Sequence, residues 1–402
     1  MSPSISKTGS SKLRRVALVI ETSRTYGRGI LRGIARYAHL HGQWSFFTVE
    51  RELHSGIPEW LRRWKGDGII ARIESAAMAR QLLKCACPMV DVLGQARLKS
   101  VPSFDTDHLA VAGLAADFFL QAGFHHFAFC GYRGLPFSDK RGAAFAEYLS
   151  RHGKVVREIS LAPARQPVRH IQATEQLGIA AERKIARWLQ EQSPPLAVFA
   201  CNDICAQQIL NACREHRIRV PEEVAVMGVD NDDVVCSLCD PPLTSIEPDT
   251  ERLGYESAAL LDAMMSGERP GKATIHIPPA RLVERASTDV IAIEDQITVQ
   301  ALRFIRDHIG EGIAVKDVLR HVGRSRTDIE QRFRFWLNTT VRSEILRRRL
   351  DRVRRLLQET GFGLEEIARK SGFATAAHLC RLFQKSHRQT PTEYRLACKN
   401  RQ

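Results

Sequence analysis

Glu21, Arg72, Asn202 and Asp230 stand at or just past the ends of short apolar runs, and Arg141 follows the loop after another such run. Carboxylates accept hydrogen bonds from sugar hydroxyls, while guanidinium and amide groups donate to hydroxyl and ring oxygens. A polyol fits that set of groups. Taken singly, each position could equally cap a helix or tie a loop, as Asn202 and Asp203 could ahead of a helix from Ile204. Their convergence argues for a pocket, because open α/β sheets bind ligands outside the carboxyl ends of their strands.

A second constellation lies near the C-terminus. In GLEEIARKSG (363–372), Leu364, Ile367 and Ala368 recur at helical spacing and Gly372 suits a turn. Thr375 can then cap a second helix whose Leu379, Leu382 and Phe383 face inward, which leaves Ala376, Ala377, His378, Arg381 and Lys385 outward. Small residues at the front of an exposed helix allow close approach to DNA, and arginine can bond guanine O6 and N7 or a phosphate. VKDVLRHVGRSRTDIEQRFRFWL (315–337) has the same layout: Val318, Leu319 and Val322, then Gly323, then Ser325 as cap with Ile329 and Phe333 inward. The sequence thus predicts two helix-turn-helix units joined by a helix around 344–360. With the cap Ser325, the candidates for base readout are Arg326, Thr327 and Gln331 in the first unit, and Thr375, His378 and Arg381 in the second. Arg324 and Arg342 suit phosphates. The run Arg347, Arg348, Arg349, Arg352, Arg354 and Arg355 winds around the connecting helix, so most of it is expected to be solvated or paired with acids such as Asp351.

The charge distribution agrees with this division. The 402-residue chain carries a formal charge of +14, and residues 296–402 hold 23 Lys+Arg against 11 Asp+Glu. A basic module therefore follows a nearly neutral domain with a different partner. In that first part, VALVI (16–20), WSFFTVE (44–50), GIIARI (68–73), MVDVLG (89–94), HFAFCGY (126–132), LAVFAC (196–201) and VAVMGVD (224–230) read as buried strands. Amphipathic stretches at 29–42, 109–123 and 183–192 lie between them, so the fold class is α/β, with parallel sheets flanked by helices. So many units exceed one simple sheet and predict two lobes, followed by an all-α domain.

Other chemistry is poorly supported. Gly27, Gly29 and Gly33 with Glu50 resemble a dinucleotide fingerprint, but six residues separate the strand's end from Gly27 where the fingerprint turn is tight. An NADP-binding oxidoreductase-like domain is the alternative this leaves, as is a pure sugar-binding domain with a DNA-tethering tail. GERPGKAT (267–274) has three residues between its glycines instead of a P-loop's four, and reads as a surface turn. The 10 cysteines are scattered without zinc-ribbon pairing and read as reduced cytoplasmic thiols. No targeting signal or membrane-length apolar run is evident.

CNDICAQQIL (201–210), VAVMGVDNDD with PPLTSIEPD (224–249), FDTDHLAVAGLAADFFLQAGFHHFAFCG (104–131) and SDKRGAAFAEYL (138–149) resemble the effector domain of LacI-type regulators, which has a periplasmic-binding-protein-like fold. That resemblance implies sugar binding by Asp230, Arg141 and Asn202. RLDRVRRLLQET, LEEIARKSGF, RLFQK and TPTEYR resemble the AraC/XylS DNA-binding domain over 297–396. Asn338 and Arg388 replace glycines usual there, and Gln384 a usual lysine; an αL backbone is tolerated by asparagine and costs more for arginine. Together with YGRGILRGIARY and IPPARLVERASTD (277–289), the arrangement is similar to that of the xylose-operon regulator family.

The resemblance implies residues 1–14 as a flexible N-terminus, 15–290 as the effector domain, 291–296 as linker and 297–402 as DNA reader. It further implies a cytoplasmic, homodimeric activator that binds double-stranded operator DNA, works with RNA polymerase, needs no cofactor, catalyses nothing and answers to a monosaccharide, a pentose such as xylose.

Overall fold

Runs that are apolar on both faces must be covered on both faces, and the first of the chain's two compact units, residues 1–290, does so with two helix-flanked sheets. The computed structural model describes residues 13–399 apart from 43, 54, 95–97, 99–100, 163–170, 172–174, 177–179, 270, 272–273 and 290–294. The segments expected as flexible N-terminus and linker therefore lie, but for their last two residues each, outside the described residues.

The first sheet takes β1 (Arg14–Val19), β2 (Trp44–Phe47), β3 (Gly68–Ala71), β4 (Met89–Asp91), β5 (Ser103–Thr106) and β11 (Thr274–Ile277) in the order β11-β5-β4-β3-β1-β2, all parallel. The second takes β6 (His126–Gly131), β7 (Val156–Ser160), β8 (Leu196–Ala200), β9 (Val224–Val229), β10 (Thr244–Pro248) and β12 (Pro279–Val283) in the order β12-β10-β9-β8-β6-β7, with only β12 antiparallel. The chain changes lobe after β5, after β10 and between β11 and β12, so three strands of backbone join the lobes. All seven predicted strands are present. β5, β7, β10, β11 and β12 are additional, and their polar or proline-containing sequences conceal them.

Gly29, Gly33 and Gly254 are explained by the crossing of helix 25–41 over helix 250–265. A Cβ on Gly33 would lie 2.0 Å from the Glu251 carbonyl oxygen, one on Gly254 2.0 Å from that of Ile30, and one on Gly29 1.9 Å from Thr250 Oγ1. Gly27 instead lets helix 25–41 start against Glu21, whose carbonyl oxygen would be 2.1 Å from its Cβ. These glycines serve backbone approach within the protein. Because both walls at Gly33 are backbone, Gly33→Ala is expected to destabilise the first unit by about 1–3 kcal/mol, measurable as a lower denaturant midpoint of the full chain.

The second unit, residues 291–402, is helical: Gln296–His308, Val315–Val322, Arg326–Leu337, Val341–Glu359, Leu364–Lys370, Ala376–His387 and Pro391–Lys399. Its apolar residues form two cores. Val318, Ile329 and Phe333 join the first helix around Ile305, and Ile367, Leu379 and Phe383 gather on Leu350, Val353 and Leu357 of the long connecting helix. Both turns use a left-handed glycine, Gly323 (φ 62°) and Gly372 (φ 73°), and the helices that follow end on left-handed Asn338 (φ 48°) and Arg388 (φ 56°). One expectation is corrected: Ala376 is buried, because it sits three and seven residues before Leu379 and Phe383 on their face of the helix.

Candidate functional site

At the carboxyl ends of the strands, between the lobes of the first unit, lies a small cavity of about 50 Å³. The first lobe lines it with Arg24, Tyr26, Arg72, Asp105 and Thr106, the second with His108, Phe137, Arg141, Asn202 and Asp230. Four of the five predicted residues are in its wall. Glu21 stands behind it: its Oε1 accepts from Arg72 Nη1 at 2.7 Å and so holds the guanidinium over the Tyr26 ring. Burial, only partly offset by Arg72, raises the Glu21 pKa, and its Oε2 is buried without a hydrogen-bond partner among the described residues.

Across the cavity, Arg141 is buried and fixed on several sides. Its Nε donates to His108 Nδ1 at 3.3 Å, Nη1 donates to the Cys201 carbonyl oxygen, and the guanidinium lies over Phe137 at 5.4 Å. His108 Nε2 faces Asp105 Oδ1 at 3.4 Å. An imidazole that accepts at Nδ1 carries its proton on Nε2, and burial, which lowers the His108 pKa, favours that neutral form. Asp105 also accepts from Lys140 Nζ at 2.6 Å; despite burial, His108 and Lys140 together hold its pKa below the usual value.

Asn202 and Asp230 show why sequence reasoning found both a structural and a functional use for such positions. Asn202 caps helix 203–215, its Oδ1 accepting from Cys205 N at 2.9 Å, while its Nδ2 donates to Glu175 Oε1 at 3.1 Å. Asp230 has a backbone φ of 115° and makes one long ion pair, 3.9 Å to Arg141 Nη2, with no side-chain hydrogen bond among the described residues. Burial raises its pKa, with Arg141, Arg24 and Arg72 working against that rise. A left-handed backbone holds this carboxylate, 26% exposed and without a protein hydrogen bond among the described residues, in the cavity wall, where it is open to a ligand.

Sequence reasoning missed Glu175, Arg24, Tyr26, Asp105, Thr106 and His108. Arg24 donates from both terminal nitrogens to Glu175, at 2.9 and 2.5 Å, and the neighbouring Thr25 Oγ1 donates to Asp232 Oδ2 at 2.7 Å. Two adjacent residues of the first lobe thus reach Glu175, the side-chain partner of Asn202, and the segment that carries Asp230. Asp105 and Thr106 close a strand too polar to be read as one, and Glu175 stands in a stretch without periodicity.

In the second unit, Ser325 and Thr375 cap their helices by accepting from Asp328 N and His378 N, each at 3.2 Å. Arg326, Thr327, Gln331 and Arg381 are exposed, whereas His378 is half-buried with its ring edge-on to Phe373 at 5.8 Å. Arg324, Arg326, Arg334, Arg342 and Arg381 are exposed and form no ion pair among the described residues. The arginine run on the connecting helix is largely engaged: Arg347 and Arg348 with Glu344, Arg347 and Arg354 with Asp351, and Arg349 with the Ile313 carbonyl oxygen.

Residues 15–111 match the family described as XylR N-terminal domain, 116–288 a periplasmic binding protein-like domain, and 318–397 a helix-turn-helix domain. The chain is 30% identical over 399 residues to the xylose operon regulatory protein of Escherichia coli K12, covering 96% of this chain and 97% of that protein. The chain belongs to the family of xylose operon regulatory proteins. The family's Haemophilus influenzae protein is 27% identical over 392 residues, covering 96% of this chain and 98% of its own length. A solved structure described as the xylose-binding transcription activator xylR aligns with a TM-score of 0.76 at 28% identity, over 96% of this chain and 99% of that one. A LacI family regulator from Enterococcus faecium with bound ribose shares the fold of the first unit, at 21% identity and a TM-score of 0.54 over 69% of this chain. As a xylose operon regulatory protein, the chain is a DNA-binding transcription regulator, and the dinucleotide alternative loses its basis because Gly27 and Gly29 are packed against Glu21 and Thr250.

Proposed function

We propose that this regulator senses a neutral pentose, xylose in the first instance, in the cavity between its lobes, and that occupancy of the cavity alters the grip of residues 296–399 on operator DNA. The observation that carries the reading is the Asp230 carboxylate, without a side-chain hydrogen bond among the described residues, in the wall of the same cavity as buried Arg141 and Asn202. Its acceptor oxygens suit two sugar hydroxyls, while Arg141 and Asn202 Nδ2 supply donors. Every guanidinium of the wall already faces a carboxylate: Arg24 faces Glu175, Arg72 Glu21, and Arg141 Asp230. That balance favours an uncharged ligand over a sugar phosphate.

On this reading the chain needs no cofactor, performs no catalysis, acts in the cytoplasm as a homodimer, and meets RNA polymerase at its promoter. No helix among the described residues is long and apolar enough to cross a membrane. The sugar can shift DNA binding only as far as it prefers one arrangement of the lobes. Calorimetric titration of the full chain with D-xylose, D-ribose, xylose 5-phosphate and NADP tests the reading. Binding of a free pentose alone is expected; binding of the phosphate or of NADP alone would overturn it.

Glu175 gives a further expected outcome. Its Oε1 accepts from both Arg24 and Asn202, and an amide in its place cannot satisfy all three donors that the carboxylate now accepts. Glu175→Gln is expected to weaken D-xylose binding about ten-fold, equivalent to about 1.4 kcal/mol. An unchanged sugar dissociation constant in the same titration would make Glu175 a bystander.

A further inference from the structure

Phe335 is 78% exposed, more than any other large apolar side chain among the described residues. It stands on helix 326–337, on the ridge opposite buried Ile329 and Phe333, in line with exposed Thr327, Gln331 and Arg334. Trp336, half-buried beside it, supports the ring edge-on with centroids 5.0 Å apart. The ring is therefore held outward on the face that, in a helix-turn-helix unit, meets the major groove.

The second unit gives this position its meaning. The two units repeat at a constant offset of 50 residues: the caps Ser325 and Thr375, the core residues Ile329 and Leu379, Phe333 and Phe383, and the left-handed ends Asn338 and Arg388. At the same offset Gln331 matches Arg381, Arg334 matches Gln384, and Phe335 matches Lys385, which is also exposed. Where one unit presents a cation suited to phosphate or guanine, the other presents a ring with no hydrogen bond to offer. The major-groove edge has one apolar feature, the thymine 5-methyl group.

We propose that Phe335 is a specificity-determining residue of the first helix-turn-helix unit, packing against a thymine methyl. Continuity with the DNA-reading ridge and the flanking unpaired cations Arg334 and Arg324 select DNA as the occupant. The inference rests on the DNA-binding reading of residues 296–399, and the experiment separates the two.

Binding sites are selected from a random duplex library by the full-length chain, with and without D-xylose, and each thymine of the selected site is then replaced by deoxyuridine. One thymine in the half-site read by the first unit is expected to lose about four-fold in affinity on replacement, the worth of one buried methyl group. Phe335→Ala should be insensitive to that replacement alone, with an unchanged melting temperature because the ring is exposed. Phe335→Lys should steepen the salt dependence by about one unit of slope. Deoxyuridine effects that are absent, or identical in the wild type and Phe335→Ala, would overturn the proposal. So would a Phe335→Ala chain that binds the site normally but no longer supports transcription by RNA polymerase, which would give the ring to the polymerase. Selection of no site at all would overturn the DNA reading itself.

Discussion

Asp230→Ala should lower D-xylose affinity by at least about a hundred-fold and abolish any sugar response, while leaving the DNA affinity of the sugar-free chain intact. Two charge-assisted hydrogen bonds at about 1.5 kcal/mol each correspond to a factor of more than a hundred. The ion pair is long, 3.9 Å, and the Asp230 side chain is 26% exposed, so the cost of leaving buried Arg141 without it is read separately, as a shift in melting temperature. The left-handed Asp230 backbone, φ 115°, is a further source of confusion, because alanine is strained there too. Asp230→Asn keeps a side chain better suited to that conformation and removes only the charge, so it should fold and still bind sugar poorly. If Asp230→Asn binds D-xylose like the wild type, the carboxylate is not a ligand.

Operator affinity should fall about a thousand-fold between 50 and 200 mM salt. Arg324, Arg326, Arg334, Arg342, Arg381 and Lys385 are exposed and without ion-pair partners among the described residues, and about six released counterions give a fall of that size. The engaged arginines should contribute little. Arg354→Ala, which removes a partner of Asp351, should leave the slope unchanged, whereas Arg381→Ala should cost about 1–3 kcal/mol and relax specificity at one position if it reads a base. A flat salt response would remove these cations from the DNA interface.

Much of this molecule is legible in its residues. The strands that sequence reading finds are those buried on both faces, such as VAVMGV; those it misses, such as SFDT at β5 and VREIS at β7, are edge-like or end in the cavity and carry polar side chains there. Arg72, Asn202 and Asp230 are visible because they stand at the ends of apolar runs, and Arg141 because it follows the loop after one. Glu175 and Arg24 are not, since their meaning is a contact between residues 151 apart in the chain. The glycines of helix 25–41 mislead for the same reason: their spacing imitates a nucleotide turn, but the partner that requires them is helix 250–265. Assigning only Leu379, Leu382 and Phe383 to the inner face leaves Ala376 outward, whereas its spacing to Leu379 and Phe383 sends it into the core.

The most direct test is the dissociation constant of the full-length chain for its selected DNA site, measured with and without saturating D-xylose at fixed salt. A change of ten-fold or more, mirrored by an equal change in D-xylose affinity when the site is bound, is the reciprocal coupling expected of a sugar-gated regulator. Identical DNA affinities with D-xylose bound and absent would contradict it, leaving a sugar site and a DNA reader that share a chain without speaking to each other.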